Sequence, residues 1–168
     1  MTTSLLSAAF AHHFWATERL IEACTVLTPQ QLQTPVPGTY GSILDAFRHL
    51  AEGDSLYLSV VSGQPAAPTG GEASLAEVRS LLRRNGAAWT ALLARDLDPD
   101  ADVVELDNGW EFHIPMGVRL AQVVQHGTDH RSQVCTALTS LGMAPPEIDV
   151  WAFAEATGRT RAGPAPAQ

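Results

Sequence analysis

Four long segments of the chain repeat their apolar residues three or four positions apart, which is the spacing of a buried helix face. The first segment covers residues 4–27, the second runs from about Ser42 to Val61, the third from Ser74 to about Asp96, and the fourth from Pro115 to about Leu141. In the first, the stripe consists of Leu6, Ala9, Phe10, His13, Thr17, Leu20 and Cys24. Stretches rich in proline and glycine interrupt the pattern between the segments. The pattern therefore predicts four amphipathic helices.

Between the third and fourth helices the spacing changes to alternation, which is typical of strands. The stretch "ADVVELDNGWEFHI" has Asp107, Asn108 and Gly109 at its centre, as in a tight turn. We expect its apolar residues to share one side of a short hairpin: Val104, Leu106, Trp110, Phe112 and Ile114. The predicted fold is all-α, a four-helix bundle with a short β-hairpin between the third and fourth helices. Bundles of this kind form metal and cofactor sites between facing helices.

The chain is predicted to be one domain, residues 1–158, followed by a disordered tail, residues 159–168. With 168 residues it is long enough to bury a substantial core. The segment "APPEIDVWAFAEATG" is expected to pack Trp151 and Phe153 against the rest of the molecule. Trp15, Trp89 and Trp110 are also expected in the core.

Charge and composition exclude several classes of function. The net charge is −8 and the ten basic residues are scattered, whereas a nucleic-acid interface needs clustered positive charge. No apolar run approaches the roughly 18 residues of a membrane span, and no signal peptide is evident at the start of the chain. The expectation is a cytoplasmic protein that binds neither nucleic acid nor membrane and acts on a small molecule.

Side-chain nucleophiles are poorly represented. All ten basic residues are arginine, so neither Schiff-base chemistry nor a P-loop lysine is available. There is no G-x-S-x-G motif, and Cys24 and Cys135 both lie in apolar helical contexts, as buried cysteines do. A reaction on this protein would draw its nucleophile from solvent or from a cosubstrate.

Histidines are the residues with the clearest chemical potential. His126 and His130 are four apart on a predicted helix and border its apolar stripe, so their rings lie on one face about 5–6 Å apart. Gly127 leaves room beside them for a neighbouring helix or a ligand. Two histidines are an incomplete site, since zinc usually takes a third protein ligand. His49 and His13 also face inward, and spacing alone does not decide between them, or between a metal site and two polar helix residues. His12 and His113 are expected to be solvated.

Several stretches together resemble the DinB-like family of bundle proteins, which are thought to be metal-dependent enzymes. The matching stretches are "HHFWATERLIEACTVLTPQQL", "GSILDAFRHLAEGDSLYL", "HGTDHRSQ" and "TALTSLGMAPPEIDVW", in family order and spanning about residues 5–153. The third is similar to the family motif H-x-x-x-H-R-x-Q. Within it, Asp129 stands where members often have another histidine, and Ser132 where glycine is common.

The resemblance implies a function as well as a fold. Carried over by position, the three metal-ligand histidines of the family fall on His49, His126 and His130. Zinc is the expected divalent metal and nickel the alternative. The implied activity is transfer of a low-molecular-weight thiol, a possible cosubstrate, to an electrophile. A hydrolase that uses metal-bound hydroxide and a non-catalytic stress protein that binds metal or a small molecule are the alternatives. The family's habits also imply a homodimer.

Two other roles stay open at this level. His13 is either a residue that supports the metal ligands from the first helix or a core histidine bonded to a backbone carbonyl. Arg131 and Gln133 are interpreted as packing or orienting groups. A purely structural helical dimer, with the histidines as core residues, remains a third reading of the same pattern.

Overall fold

The computed structural model describes residues 4–67 and 70–163. In chain order, the elements are α1 (Leu5–Cys24), α2 (Pro29–Gln33), α3 (Ile43–Ser62), α4 (Leu75–Leu93), β1 (Asp102–Asp107), β2 (Trp110–Pro115), α5 (Met116–Ser140) and α6 (Val150–Ala156). The four long helices lie where the sequence predicts them, with ends that differ by a few residues. The two short helices, α2 and α6, were not predicted.

Helix starts follow from side chains that satisfy the free backbone amides of the first turn. Ser42 and Ser74 begin α3 and α4 with capping boxes, in which Asp45 and Glu77 bond back to the serine amides. The sequence pattern likewise predicts that these two helices begin at about Ser42 and at Ser74. Thr28 forms a third box with a glutamine at the start of α2, which explains why this proline-containing stretch still makes a helical turn.

The long helices pack in a ring of pairs: α3 against α4 and α5, and α1 against α4 and α5. The chain is therefore mostly helical with one small sheet, as predicted, and these pairings agree with the four-helix bundle that the sequence suggests. No described helix is long and apolar enough to cross a membrane, within residues 4–67 and 70–163.

The interior is divided into two apolar clusters with a polar layer between them. One cluster contains Leu20, Cys24, Phe47, Leu50, Leu82, Val134 and Leu138, and the other contains Phe10, Trp89, Leu92, Leu120 and Val123. Each long helix passes from one cluster to the other through buried polar residues: His13 and Thr17 in α1, Asp54 and Ser55 in α3, Asn85 in α4, and His130 and Arg131 in α5. Because buried polar groups need partners, this middle layer is the part of the interior best suited to a functional site.

The hairpin forms as predicted, but its two faces differ from the prediction. The turn has two central residues, Asn108 and Gly109, both with positive φ (49° and 80°). With a two-residue turn, Glu105 pairs with Phe112 and Val104 with His113, so Val104 and Phe112 lie on opposite faces. The prediction that five apolar residues share one side is therefore wrong. Val103, which was not among them, is the buried one.

The sheet is attached to the start of α5. The Met116 amide donates to Ala101 O at 2.9 Å, and the Gly117 amide donates to Pro99 O at 2.8 Å. The buried Arg119 side chain pairs with Glu105 on β1. The axial position of α5, and of every side chain on it, is thereby tied to the hairpin.

The structure tests four of the predictions made for aromatic side chains, with different outcomes. Phe153 in α6 is buried and Trp89 is fully buried, as expected. Trp151 and Trp110 are exposed, at 75% and 72%, so the expectations that Trp151 packs against the rest of the molecule and that Trp110 lies in the core are wrong. Of the predicted tail, residues 159–163 have neither helix nor strand, and residues 164–168 lie outside the described residues.

Candidate metal centre

Three histidines meet between α3 and α5. His49 comes from α3, and His126 and His130 stand one turn apart on α5. One ring nitrogen of each can be chosen so that the three atoms all lie within 4.8 Å of one another. The ring centroids are 4.5 Å apart for His126 and His130, 4.6 Å for His49 and His130, and 5.0 Å for His49 and His126. Such a cluster of imidazoles could hold a metal ion.

A glycine allows the two helices to bring these rings together. A Cβ atom at Gly53 of α3 would lie 2.5 Å from Cε1 of His126 and 3.1 Å from its Nδ1. Real Cβ atoms do not approach other atoms so closely, so the imidazole occupies the space that a side chain at position 53 would fill. Gly53 follows His49 by about one turn of α3, so both residues lie on the same face of that helix.

The chemistry of the three donors suits a cation that binds neutral imidazole. The Nδ1 atoms of His126 and His130 are buried and have no hydrogen-bond partner. Burial lowers the pKa of His126 to about 4, with further lowering by the neighbouring His130 and His49. Burial and the nearby His49 also lower the pKa of His130. The two rings are therefore neutral at physiological pH, and each has one unprotonated nitrogen whose lone pair can bind a metal.

Two tyrosines line the cluster. The ring of Tyr40 stacks on His49 at 4.1 Å between centroids with an interplanar angle of 19°, and Tyr57 meets His126 edge-on at 5.6 Å. The loop that carries Tyr40 is held against α5, because the Tyr40 amide donates to Oε1 of Gln133 at 2.7 Å. Gln133 is thus an orienting group, as the sequence suggests. Neither tyrosine was predicted as part of the site.

His13 lies deep in the polar layer and not among the three ligands. Its Nε2 is 3.2 Å from Oδ2 of Asp54, and its Nδ1 is 2.9 Å from Nη1 of Arg131. Its partners are therefore a carboxylate and a guanidinium, rather than the backbone carbonyl of the simplest reading. Burial lowers the pKa of Arg131 to about 10, opposed by the charge of Asp54, so the guanidinium stays charged at neutral pH. Asp54 was not predicted from the sequence to belong to the site.

A second glycine, Gly127 of α5, leaves the space that the His13 ring occupies. A Cβ atom at Gly127 would lie 2.2 Å from Cε1 of His13, 2.3 Å from its Nδ1 and 2.8 Å from Nη1 of Arg131. The room that the sequence predicted beside His126 is thus taken by a residue of the neighbouring helix α1.

The other residues singled out in the sequence lie away from the cluster. His12 is partly buried and its Nε2 is 2.8 Å from Ile148 O, so the expectation that it is solvated is wrong. His113 is exposed on the hairpin beside Asp102, as expected. Asp129 is exposed and accepts a bond from Gln125 at 2.9 Å, so it does not turn into the site.

Neither cysteine is placed to act as a nucleophile. Cys24 is buried, and desolvation raises its pKa to about 12. Cys135 is partly buried, and desolvation raises its pKa as well. Cys135 lines an apolar cleft of about 750 Å³ between α1, α5 and α6, to which none of the three histidines of the cluster contributes.

Comparison with known proteins identifies the family of this chain. The model of the DinB family matches residues 1–164, which is nearly the whole chain, and the protein therefore belongs to the DinB family. No curated protein matches the chain.

Proposed function

We propose that this member of the DinB family is a metal-dependent enzyme that transfers a low-molecular-weight thiol to an electrophilic small molecule. The observation that carries the proposal is the convergence of His49, His126 and His130, whose candidate ligand atoms lie within 4.8 Å of one another. Three imidazoles suit zinc, with nickel as the alternative, and leave coordination positions for water or substrate.

A thiol cosubstrate would supply the nucleophile, since neither cysteine of the described residues is placed to act as one. A divalent metal bound at this site would supply Lewis acidity, which favours the thiolate form of a thiol. The chain's own contribution is to hold the rings of α3 and α5 in place and to provide walls. Tyr40 and Tyr57 line two sides of the cluster with aromatic surface, against which a substrate can pack.

The first experiment is elemental analysis of untagged protein, comparing the wild type with His126→Ala. His113→Ala is the matched control, because His113 is an exposed histidine on the hairpin. About one metal per chain in the wild type and the control, lost in His126→Ala, supports the site. Absence of metal from the wild type, even after zinc or nickel is added, overturns the proposal and favours the structural reading, in which histidine substitutions change only stability.

Two reactions, and binding without a reaction, can then be distinguished with metal-loaded protein. A thiol-dependent transferase turns over a generic electrophile only with thiol, above the background of the free metal ion. A hydrolase, the alternative enzyme, acts without thiol by using metal-activated water. A protein that binds a small molecule without turnover shows neither, and the apolar cleft beside α6 is the surface that this last alternative would use.

We further propose a homodimer in the cytoplasm as the working form. Large apolar side chains are exposed on several elements, including Leu5, Val26, Val118 and Trp151. Light scattering coupled to gel filtration tests the dimer directly, and a mass equal to one chain of 17.9 kDa would contradict it.

A further inference from the structure

The polar layer contains a chain of three buried ionisable groups that ends next to the metal centre. Arg131, His13 and Asp54 are 3%, 0% and 0% exposed, respectively. Nη1 of Arg131 is 2.9 Å from Nδ1 of His13, whose Nε2 is 3.2 Å from Oδ2 of Asp54. Three helices, α5, α1 and α3, are joined by these contacts.

The direction of the hydrogen bonds follows from chemistry. A guanidinium can only donate, so Nδ1 of His13 accepts from Arg131. A neutral imidazole with an accepting Nδ1 carries its proton on Nε2, which donates to Oδ2 of Asp54. The neutral ring therefore stands between a cation and an anion, and the two buried charges balance. Oδ2 of Asp54 therefore accepts the hydrogen bond from His13.

The second oxygen of Asp54 has no such partner. Oδ1 is buried without a hydrogen bond, and so is Nδ1 of His126. The two residues are close: the His126 ring lies against Gly53, the residue before Asp54, and the negative charge of Asp54 acts on His126. The structure does not bond the two atoms directly. An acceptor without a donor and a nitrogen without a partner are thus left in the same buried region.

Resting on the proposed metal centre, we infer that Asp54 is its positioning carboxylate. Its Oδ1 accepts the Nδ1 proton of His126, directly or through one bridging water, and this leaves Nε2 as the nitrogen that binds the metal. Outer carboxylates of this kind select the tautomer and orientation of a ligating histidine and raise its basicity. His13 and Arg131 in turn hold Asp54, so that α1 takes part in the site without supplying a ligand.

Asp54→Asn is the informative substitution because it replaces one hydrogen-bond acceptor, a carboxylate oxygen, by a donor, the amide nitrogen. The amide oxygen must face the Nε2 proton of His13, which points the amide nitrogen, a donor, toward His126. The acceptor for the Nδ1 proton is lost, and His126 should change to the tautomer that carries its proton on Nε2. Asp129→Asn is the matched control, since Asp129 is an exposed carboxylate on α5 next to His130.

The tautomer can be read in metal-free protein near neutral pH by long-range ¹H–¹⁵N correlation spectra of the histidine rings. We expect His126 to be protonated on Nδ1 in the wild type and in Asp129→Asn, and on Nε2 in Asp54→Asn. Protonation on Nε2 in the wild type would overturn the inference, and this result needs no variant to fold. Circular dichroism establishes whether Asp54→Asn keeps its helices.

Zinc affinity, measured by competition with a chromophoric chelator, gives the second readout. Loss of the supporting carboxylate should weaken binding about 10- to 100-fold in Asp54→Asn. The exposed charge of Asp129 is screened, so its loss should change affinity by less than about threefold. Wild-type affinity in Asp54→Asn, with binding abolished in His126→Ala, would overturn the inference and leave the proposed function intact. No binding by the wild type would remove the proposed function, while the tautomer in metal-free protein would still decide the role of Asp54.

Discussion

Replacement of Gly127 by alanine should destabilise the protein, although the same change favours helices in general. In an exposed helix interior, alanine is more favourable than glycine by about 1 kcal/mol. Here the added methyl group would stand 2.2 Å from Cε1 of His13 and 2.8 Å from Nη1 of Arg131. Both neighbours are buried and hydrogen bonded, so neither can move without breaking other contacts.

The magnitude follows from two opposing effects. Overpacking of a buried position typically costs about 1–3 kcal/mol. Displacing His13 also breaks its hydrogen bonds to Arg131 and Asp54. Disrupting a buried ionic network costs about 3–5 kcal/mol when one partner is lost outright. After the gain in helix propensity, and because the partners are shifted rather than removed, we expect a net loss of about 2–4 kcal/mol. For a chain of this size the Tm should fall by roughly 5–15 °C.

Urea unfolding followed by circular dichroism measures the change. Gly86→Ala is the control, because Gly86 is also inside a helix, and its added Cβ would lie 3.3 Å from Cγ of Phe14, a partly buried ring that can adjust. That variant should range from neutral to about 1 kcal/mol more stable. If Gly127→Ala were as stable as Gly86→Ala, helix propensity alone would govern the position, and the tight packing of His13 on α5 would be refuted.

Three further predictions concern acid stability, thiol reactivity and the hairpin. Metal-free protein should lose about 1–2 kcal/mol of stability as the pH falls from about 6.5 to 4, measured by urea unfolding at each pH. The sign follows because burial lowers the folded-state pKa of His126 from 6.5 to about 4, so the unfolded state takes up the proton first as the pH falls. The lowered pKa of His130 acts in the same direction. Unchanged stability over this pH range would contradict the prediction. Cys24 and Cys135 should react slowly with 5,5′-dithiobis(2-nitrobenzoate) in native protein and completely in guanidinium, since burial raises the pKa of both; a fast native phase would disprove this. Gly109→Ala should cost about 1 kcal/mol in urea unfolding, because its φ of 80° strains any residue with a Cβ even though no atom lies within 4 Å; no loss would mean that the turn relaxes.

The helices and the histidine cluster were accessible from the sequence for physical reasons. Helical spacing of apolar residues reports burial directly, and the polar caps at Ser74 and Ser42 mark where helices begin. His126 and His130 share a face because of their spacing alone. Assigning His49 as the third member needed the family resemblance, because His13 also points inward and no rule of spacing separates the two.

What the sequence did not reveal depends on contacts between distant segments. Asp54 follows a glycine in a helix and reads as a solvated residue, because its partners His13 and Arg131 come from other helices. Tyr40 lies in a loop with no periodicity, and its place over His49 depends on a bond to α5. The face of each hairpin residue depends on whether the turn has two or three central residues. Because the turn is one residue shorter than predicted, Val104 and Phe112 lie on opposite faces of the hairpin.

The three histidines are divided between α3 and α5, with α4 and the hairpin between them in the chain. A metal bound there would act as a removable cross-link between two helices that are remote in sequence. The occupancy of the site would then report whether the two helices have packed together. Far-ultraviolet circular dichroism does not report this packing, since α5 could be helical without contacting α3. Metal content per chain thus becomes an assay of tertiary assembly, suited to screening variants of the polar layer for correct packing before any substrate is known.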